Sequence, residues 1–284
     1  MTRATDERLL RALRRALEDQ HLYMLYQPQV RLSDGAVVRV EALVRWKDPE
    51  LGPVQPSLFV PVAENHGLID ELTQWGLRTI LRQWLEWRDD GLDMSIAFNI
   101  SALSLQNLDF PDLVERMCRA LEVPPDRLML ELTEGATQPL VKLMDTLTRF
   151  RIKGIGLAID DFGTGYSSLM QLRQLPFTEV KIDRDFVTDI GHSSDCRLIV
   201  QTMAELARGL GLSACAEGVE TVEQLRILRD LGCELAQGYL ISPGLRAEEL
   251  ASWRQGFGGK WEELLADDAR ALGSDVESDA LGQR

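Results

Sequence analysis

The chain has no run of apolar residues approaching the ~18 needed to span a bilayer, and no signal-type apolar segment near its N-terminus. No membrane contact is therefore expected of it, and the expected compartment is the cytoplasm. Cysteine is sparse. Cys118, Cys196, Cys215 and Cys233 lie far apart with no C-x-x-C spacing, which excludes a disulfide framework and leaves ordinary reduced thiols. Positive charge is short too: 31 Lys and Arg stand against 45 Asp and Glu, a formal net charge of −14. A surface that tracks bulk nucleic acid is excluded on that ground, because such binding depends on cations that neutralise phosphates. A small phosphorylated ligand fits the composition if metal ions or a few placed cations offset the local acids. Repeats of the solenoid kind are absent as well.

What is present is a hydrophobic content of 45% over 284 residues, ample for one core and normal for an α/β barrel of about 250 residues. Leu9, Leu10, Leu13 and Leu17 recur at helical spacing among Arg and Glu, predicting an amphipathic lead-in helix over residues 1–20. Asp34-Gly35 separates two apolar runs, 22–28 and 37–46, and predicts an antiparallel hairpin. From there strand-like runs at 94–99, 128–133, 155–160, 180–183, 213–217 and 236–240 alternate with amphipathic stretches near 70–89, 110–122, 137–152, 195–210, 221–231 and 247–265. With the hairpin pair this makes eight strands, and the alternation predicts a TIM-type (β/α)8 barrel with an antiparallel first strand, over residues 21–265. Residues 266–284 are acidic and poor in large apolar side chains, which predicts a disordered tail.

The stretch Ala158-Ile159-Asp160-Asp161-Phe162-Gly163-Thr164-Gly165 delivers two consecutive carboxylates at the end of an apolar run. Successive strand side chains point to opposite faces. The two acids are therefore expected to share one cavity only where the strand stops, and Gly163 and Gly165 are expected to supply that stop. Almost every other strand end offers a polar group as well: Glu41, Asn99, Glu131, Lys181, Glu217 and Gln237. Each alone reads as a surface residue, a turn starter or a snorkelling lysine. Together, on the strand-end face where barrels of this type hold their sites, the carboxylates need hard cations between them. Oxygen ligands without histidine suit Mg2+ or Mn2+. The adjacent aspartates suggest two ions bridged by Asp160, with Lys181 and Glu217 to orient a water and take its proton.

Glu41-Ala42-Leu43-Val44-Arg45, with Tyr26-Gln27-Pro28, Phe59-Val60-Pro61-Val62-Ala63-Glu64, Asn99-Ile100-Ser101, Glu131-Leu132-Thr133-Glu134, Lys181-Ile182-Asp183, Ala216-Glu217-Gly218-Val219-Glu220 and Gln237-Gly238-Tyr239, resembles the EAL-domain family of cyclic di-GMP phosphodiesterases over about residues 5–255. The resemblance implies hydrolysis of cyclic di-GMP to linear pGpG by two Mg2+ or Mn2+ ions. It implies that Glu41, Asn99, Glu131 and Asp160 hold one ion, and that Asp160 and Asp161 serve the second with Glu217 as a further ligand or general base. Lys181 would hold the attacking water, Arg45 would grip a phosphate, and Gln27 and Gln237 would line the substrate groove. Glu134 would brace the loop after Asp161, Glu220 would support the same mouth, and a homodimer contact is expected at that loop. The family usually places a basic residue and then proline after Ser242, whereas this chain has Pro243-Gly244, so the resemblance does not fix the local path there. A receptor that binds cyclic di-GMP without cleaving it, or a protein-interaction module, is the competing expectation. Such proteins typically lose metal ligands, the lysine or the base, and none is lost here.

Overall fold

The computed structural model describes residues 3–19, 21–133, 140–163 and 169–281. Its first two strands, β1 (Leu22–Arg31) and β2 (Val37–Asp48), form the expected antiparallel hairpin, in register from Leu22 opposite Trp46 to Val30 opposite Val37, with a bulge at Gln29/Val30. The turn is built by Asp34, whose carboxylate accepts from the Ala36 amide at 3.0 Å and the Arg31 guanidinium at 2.7 Å. Gly35 then takes a φ of 70°, a conformation that costs glycine nothing. A short strand, β3 (Gly52–Val54), pairs antiparallel on the outer end of β2.

Six further strands follow, β4 (Ser95–Asn99), β5 (Leu128–Thr133), β6 (Gly156–Phe162), β7 (Glu179–Ile182), β8 (Ser213–Ala216) and β9 (Leu235–Ala236). They are parallel to one another, β2 joins β4 in parallel, and β9 pairs antiparallel with β1. The result is a closed eight-stranded barrel in which β1 opposes both neighbours. Helix α1 (Arg3–Glu18) precedes it, α2 (Pro56–Asn65) and α3 (Ile69–Asp89) connect β3 to β4, and α4 (Phe110–Ala120) and α5 (Leu140–Ile152) follow β4 and β5. Then come α6 (Leu169–Gln174) before β7, α7 (Arg184–Thr188) and α8 (Ser194–Leu210) before β8, α9 (Val222–Asp230) before β9, and α10 (Ala247–Leu281). Among the described residues no helix is long and apolar enough to cross a membrane.

Strand alternation sorts the side chains. Val40, Ala42, Ile96, Phe98, Leu130, Leu132, Leu157, Ile159, Val180 and Ile182 point outward into the main core beneath the helices. The intervening residues fill the barrel in layers: an Arg39–Glu179 ion pair at 2.7 Å forms the floor, and Ala97, Met129 and Ala158 make an apolar layer over it. The carboxylates Glu41 and Glu131 come next, at the level of the mouth. The apolar stripe of α1, with Leu9, Ala12, Leu13 and Ala16 buried, closes a second core with Leu22, Trp46, Phe59 and Val62. There Trp46 and Phe59 meet edge-on, with centroids 5.6 Å apart.

Three local expectations change. The two aspartates do not mark the end of their strand: β6 continues through Phe162, its register against β7 slips between Ile159 and Phe162, and Asp161 takes a φ of 54°. A bulge, not a strand stop, re-aims the second carboxylate, which is how bulges commonly serve sites. Gly165, the other half of the expected stop, lies outside the described residues. The strand expected over 236–240 is only Leu235–Ala236, because Gly238 to Ser242 turn on themselves, the amides of Ile241 and Ser242 donating to the Gly238 carbonyl at 3.1 and 3.0 Å. Helix α2 arises where none was expected. Pro61 sits inside it and lacks an amide donor, which argues against a helix, but Pro56 opens its first turn and burial of Phe59, Val62 and Ala63 holds it. Helix α10 itself runs on to Leu281.

Gly238 fixes the chain that carries Gln237, since a Cβ there would collide with the backbone of Val219. Gly238→Ala should therefore destabilise by about 3 kcal/mol or more, some 6 °C or more in Tm for a chain of this size. Gly209→Ala, on α8 with open space around it, should instead hold or raise Tm, by about 0.5–1 kcal/mol. Thermal denaturation of the two variants checks this, and similar melting for both would remove the close-approach argument.

Candidate active site

Lys181 enters the barrel from the short, fully buried strand β7 and is itself buried. Its ammonium lies 2.6 Å from Glu131 Oε2 and 2.6 Å from Glu217 Oε1, 3.3 Å from Asp160 Oδ1 and 3.4 Å from Glu41 Oε2. Four carboxylates from β2, β5, β6 and the end of β8 thus meet one cation. Asp161 adds a fifth acid: Asp160, Asp161 and Glu217 each offer an oxygen within 4.8 Å of the others. The barrel wall brings these groups together through register, Asn99 pairing with Glu131 and Thr133 with Asp160 in successive parallel strands.

Neutral amides finish the ring. Asn99 Nδ2 donates to Glu41 Oε1 at 2.6 Å, and Gln237 Nε2 donates to Glu41 Oε2 at 2.7 Å and to Gln27 Oε1 at 2.9 Å. Gln27 Nε2 in turn donates to the Ser242 carbonyl at 3.1 Å. Arg45 lies two pairs further out on the hairpin, its guanidinium donating to the Val44 carbonyl at 2.9 Å, and lines a cavity of about 290 Å3 with Asn99, Glu64, Ser101 and apolar residues of α2 and α3. Glu220 is exposed, and its amide donates to Gln224 Oε1 at the start of α9. Glu134 lies outside the described residues.

Sequence reasoning overlooked several participants. Gln29 is fully buried and donates to Gln237 Oε1 at 2.8 Å. It sits two residues from Gln27, so strand alternation alone places it on the same inward face. Asp183 hydrogen-bonds Asp161 while its other role is to cap α7, accepting from the Asp185 amide at 2.8 Å.

The acids outnumber the cation in a desolvated space, and their protonation shows it. Burial, and then the neighbouring Asp160 charge, push Asp161 up to about 6. Burial pushes Glu217 up to about 8 against the pull of Lys181. Glu131 and Asp160 rise as well, for the same primary reason. Glu41 alone goes down, because Lys181, Gln237 and Asn99 together outweigh its burial. Among the described residues, the buried oxygen Glu131 Oε1 has no hydrogen-bond partner, and a buried acceptor left unmade costs about 1–3 kcal/mol. An all-oxygen donor set with surplus negative charge and an unused buried oxygen fits a hard divalent cation. Asp160, Asp161 and Glu217 offer oxygens close enough together to share such an ion, and Glu41, Asn99 and Glu131 line the same mouth.

The EAL domain family model matches residues 10–244. The bifunctional diguanylate cyclase/cyclic di-GMP phosphodiesterase MucR of Pseudomonas aeruginosa is 41% identical over 244 residues, which are 85% of this chain and 36% of MucR. The cyclic di-GMP phosphodiesterase NbdA of the same organism is 39% identical over 260 residues, 90% of this chain and 33% of NbdA. The chain thus spans about a third of the length of these relatives. Among solved structures, the MucR phosphodiesterase in complex with c-di-GMP superposes with a TM-score of 0.81 at 41% identity, covering 86% of this chain and 99% of that one.

The raised acids give the metal-free protein a definite pH dependence. A carboxyl whose pKa is higher folded than unfolded binds more protons in the folded state, so stability falls as pH rises between the two values. For Asp161 and Glu217 that window runs from about 4 to about 8. In chelator, Tm should therefore drop steadily from pH 5 to pH 8. A Tm that stays flat or climbs across this range would contradict the crowding of acids around Lys181.

Proposed function

This chain belongs to the EAL-domain family, and from that membership and the acidic cage around Lys181 we propose that it hydrolyses cyclic di-GMP to linear pGpG, using two Mg2+ or Mn2+ ions. The observation that carries the reading is the convergence of four carboxylates on a single buried ammonium at the strand-end mouth, with a fifth, Asp161, beside Asp160 and Glu217. MucR is a bifunctional diguanylate cyclase/cyclic di-GMP phosphodiesterase, NbdA is a cyclic di-GMP phosphodiesterase, and the solved MucR phosphodiesterase is a complex with c-di-GMP.

In this reading Glu41, Asn99, Glu131 and Asp160 would hold one ion, and Asp160 and Asp161 would hold the other with Glu217 close by. Ions held there would supply the means to acidify a water and offset charge on the attacking and leaving oxygens. Lys181 would orient that water, and Glu217, at the open side of the cage with a fifth of its side chain exposed, would take the proton. A general base works best with its pKa near the working pH, which is where burial puts Glu217. Arg45 grips the phosphate, to which its planar fork of donors is suited. Gln27 and Gln237, locked to each other and to Glu41, orient the sugar-phosphate ring. Glu134 and Glu220 support the mouth, and a homodimer forms at the loop after Asp161. The units of the chain are a lead-in helix over 1–20, the barrel over 21–265 and an acidic tail over 266–284, and the working place is the cytoplasm, where lowering this messenger takes effect.

Cyclic di-GMP incubated with the protein in Mn2+ or Mg2+ and resolved by chromatography should give pGpG, and excess chelator should abolish it. Glu217→Gln should lower kcat about 10²-fold or more, the usual worth of a general base, while saturable binding of cyclic di-GMP persists. Intact cyclic di-GMP bound without turnover in metal would make the barrel a receptor instead.

A further inference from the structure

The inward face of the β1–β2 hairpin carries three cross-strand pairs that step outward from the cage: Gln27 with Glu41, Leu25 with Leu43, and Tyr23 with Arg45. Directly opposed residues of an antiparallel pair share a face, and residues two apart remain on it. The face therefore reads polar, then apolar, then aromatic and cationic. Arg45 lies four residues beyond Glu41, about 13 Å along the strand.

On its other edge β1 meets the segment after Gln237. Tyr26 and Leu245 exchange backbone hydrogen bonds of 2.8 and 2.9 Å in an antiparallel bridge. Leu245 holds this path although Pro243-Gly244 precedes it. The bridge turns Arg246 toward the same inward face, where its guanidinium carbon lies 3.9 Å from the centroid of the Tyr23 ring. The backbone amide of Arg246 donates to Glu249 Oε2 at 2.7 Å, and among the described residues its guanidinium takes part in no ion pair. Gly244 passes over the apolar step: a Cβ there would stand 3.1 Å from Leu25 Cβ and 3.8 Å from Leu43 Cδ1. The absent side chain leaves that step open.

We propose that Arg246, held over the Tyr23 ring, reads the guanine of the nucleotide furthest from the cage, donating to its O6 and N7 while the base lies along the Leu25–Leu43 step. The inference rests on the proposed cyclic di-GMP reading, which sets one phosphodiester at Lys181 and so directs the far base toward the rim. A guanidinium over an aromatic face is attracted by the ring quadrupole, which holds its fork of donors at the rim. That fork matches the two acceptors of guanine, whereas adenine offers one acceptor and one donor at the same edge. Arg246 thus touches substrate, and Tyr23 is the positioning residue beneath it.

The test is steady-state kinetics in Mn2+ with cyclic di-GMP, plus the inhibition constant of cyclic di-AMP, for wild type, Arg246→Ala, Tyr23→Phe, Tyr23→Leu and the Arg246→Ala/Tyr23→Leu double variant. Arg246→Ala should raise KM for cyclic di-GMP roughly tenfold, within the range for one bidentate guanine contact, and shift the cyclic di-AMP inhibition constant far less. Its kcat should fall less than about twofold, as for an interaction made equally in ground and transition states. Tyr23→Phe keeps the ring and should keep KM near wild type, while Tyr23→Leu should approach Arg246→Ala, with the double variant adding little more. An unmoved KM in Arg246→Ala, or equal loss for both dinucleotides, would overturn the assignment. A wild-type protein that neither binds nor cleaves cyclic di-GMP would instead refute the proposed function itself.

Discussion

One buried ammonium facing four carboxylates is the constraint on which the rest of the barrel depends. Lys181 can sit there only because each acid lies within 3.4 Å of it, since an unpaired buried charge costs several kcal/mol. The acids in turn exceed what a single lysine can neutralise, and they answer by holding protons: Glu217 up to about 8 and Asp161 up to about 6. A pocket in this condition is one that a divalent cation stabilises, because the ion replaces protons that burial has forced on. The same surplus explains why amides, and not further charges, complete the ring around Glu41.

Everything beneath and around the cage keeps that cluster in place. Small Ala97 and Ala158 leave room in the barrel centre, and the Arg39–Glu179 pair closes the floor with charges that satisfy each other. Above, the turn from Gly238 to Ser242 carries one wall of the mouth, and it is fastened from outside by Lys260 of α10, whose ammonium donates to the Leu240 and Ile241 carbonyls at 2.6 and 3.2 Å. Trp261 of the same helix covers Gly35, so α10 braces both the hairpin turn and the site turn. The rim residues Tyr23, Arg45 and Arg246 thus stand on backbone fixed at both ends.

Much of this was legible in the chain because alternation is a strong signal. Leu128-Met129-Leu130-Glu131-Leu132 can bury its leucines outward only by turning Glu131 inward, and Asp34-Gly35 specifies the hairpin with its own hydrogen bonds. What escaped depends on partners remote in sequence. The bulge at Asp161 has no compositional mark, since a non-glycine residue at positive φ is rarely favoured locally. Helix α2 contradicts its own Pro61 and survives through tertiary burial. Strand β9 shrinks to two residues because hydrogen bonds from α10 and from the chain after Gly218 hold Gly238–Ser242 as a turn. Arg246 finds Tyr23 only once the barrel has closed. The mouth carboxylates and the hairpin were written in local pattern, whereas the rim is a product of closure.

The most direct measurement is calorimetric titration of the metal-free protein with Mn2+ at pH 7, run in two buffers of different ionisation enthalpy. Because a metal ligand must be deprotonated to bind, and Glu217 holds its proton up to about pH 8, the account predicts saturable binding that releases protons. Failure to bind, or binding with the same heat in both buffers, would contradict the view that crowded, protonated carboxylates around Lys181 are built to receive divalent metal.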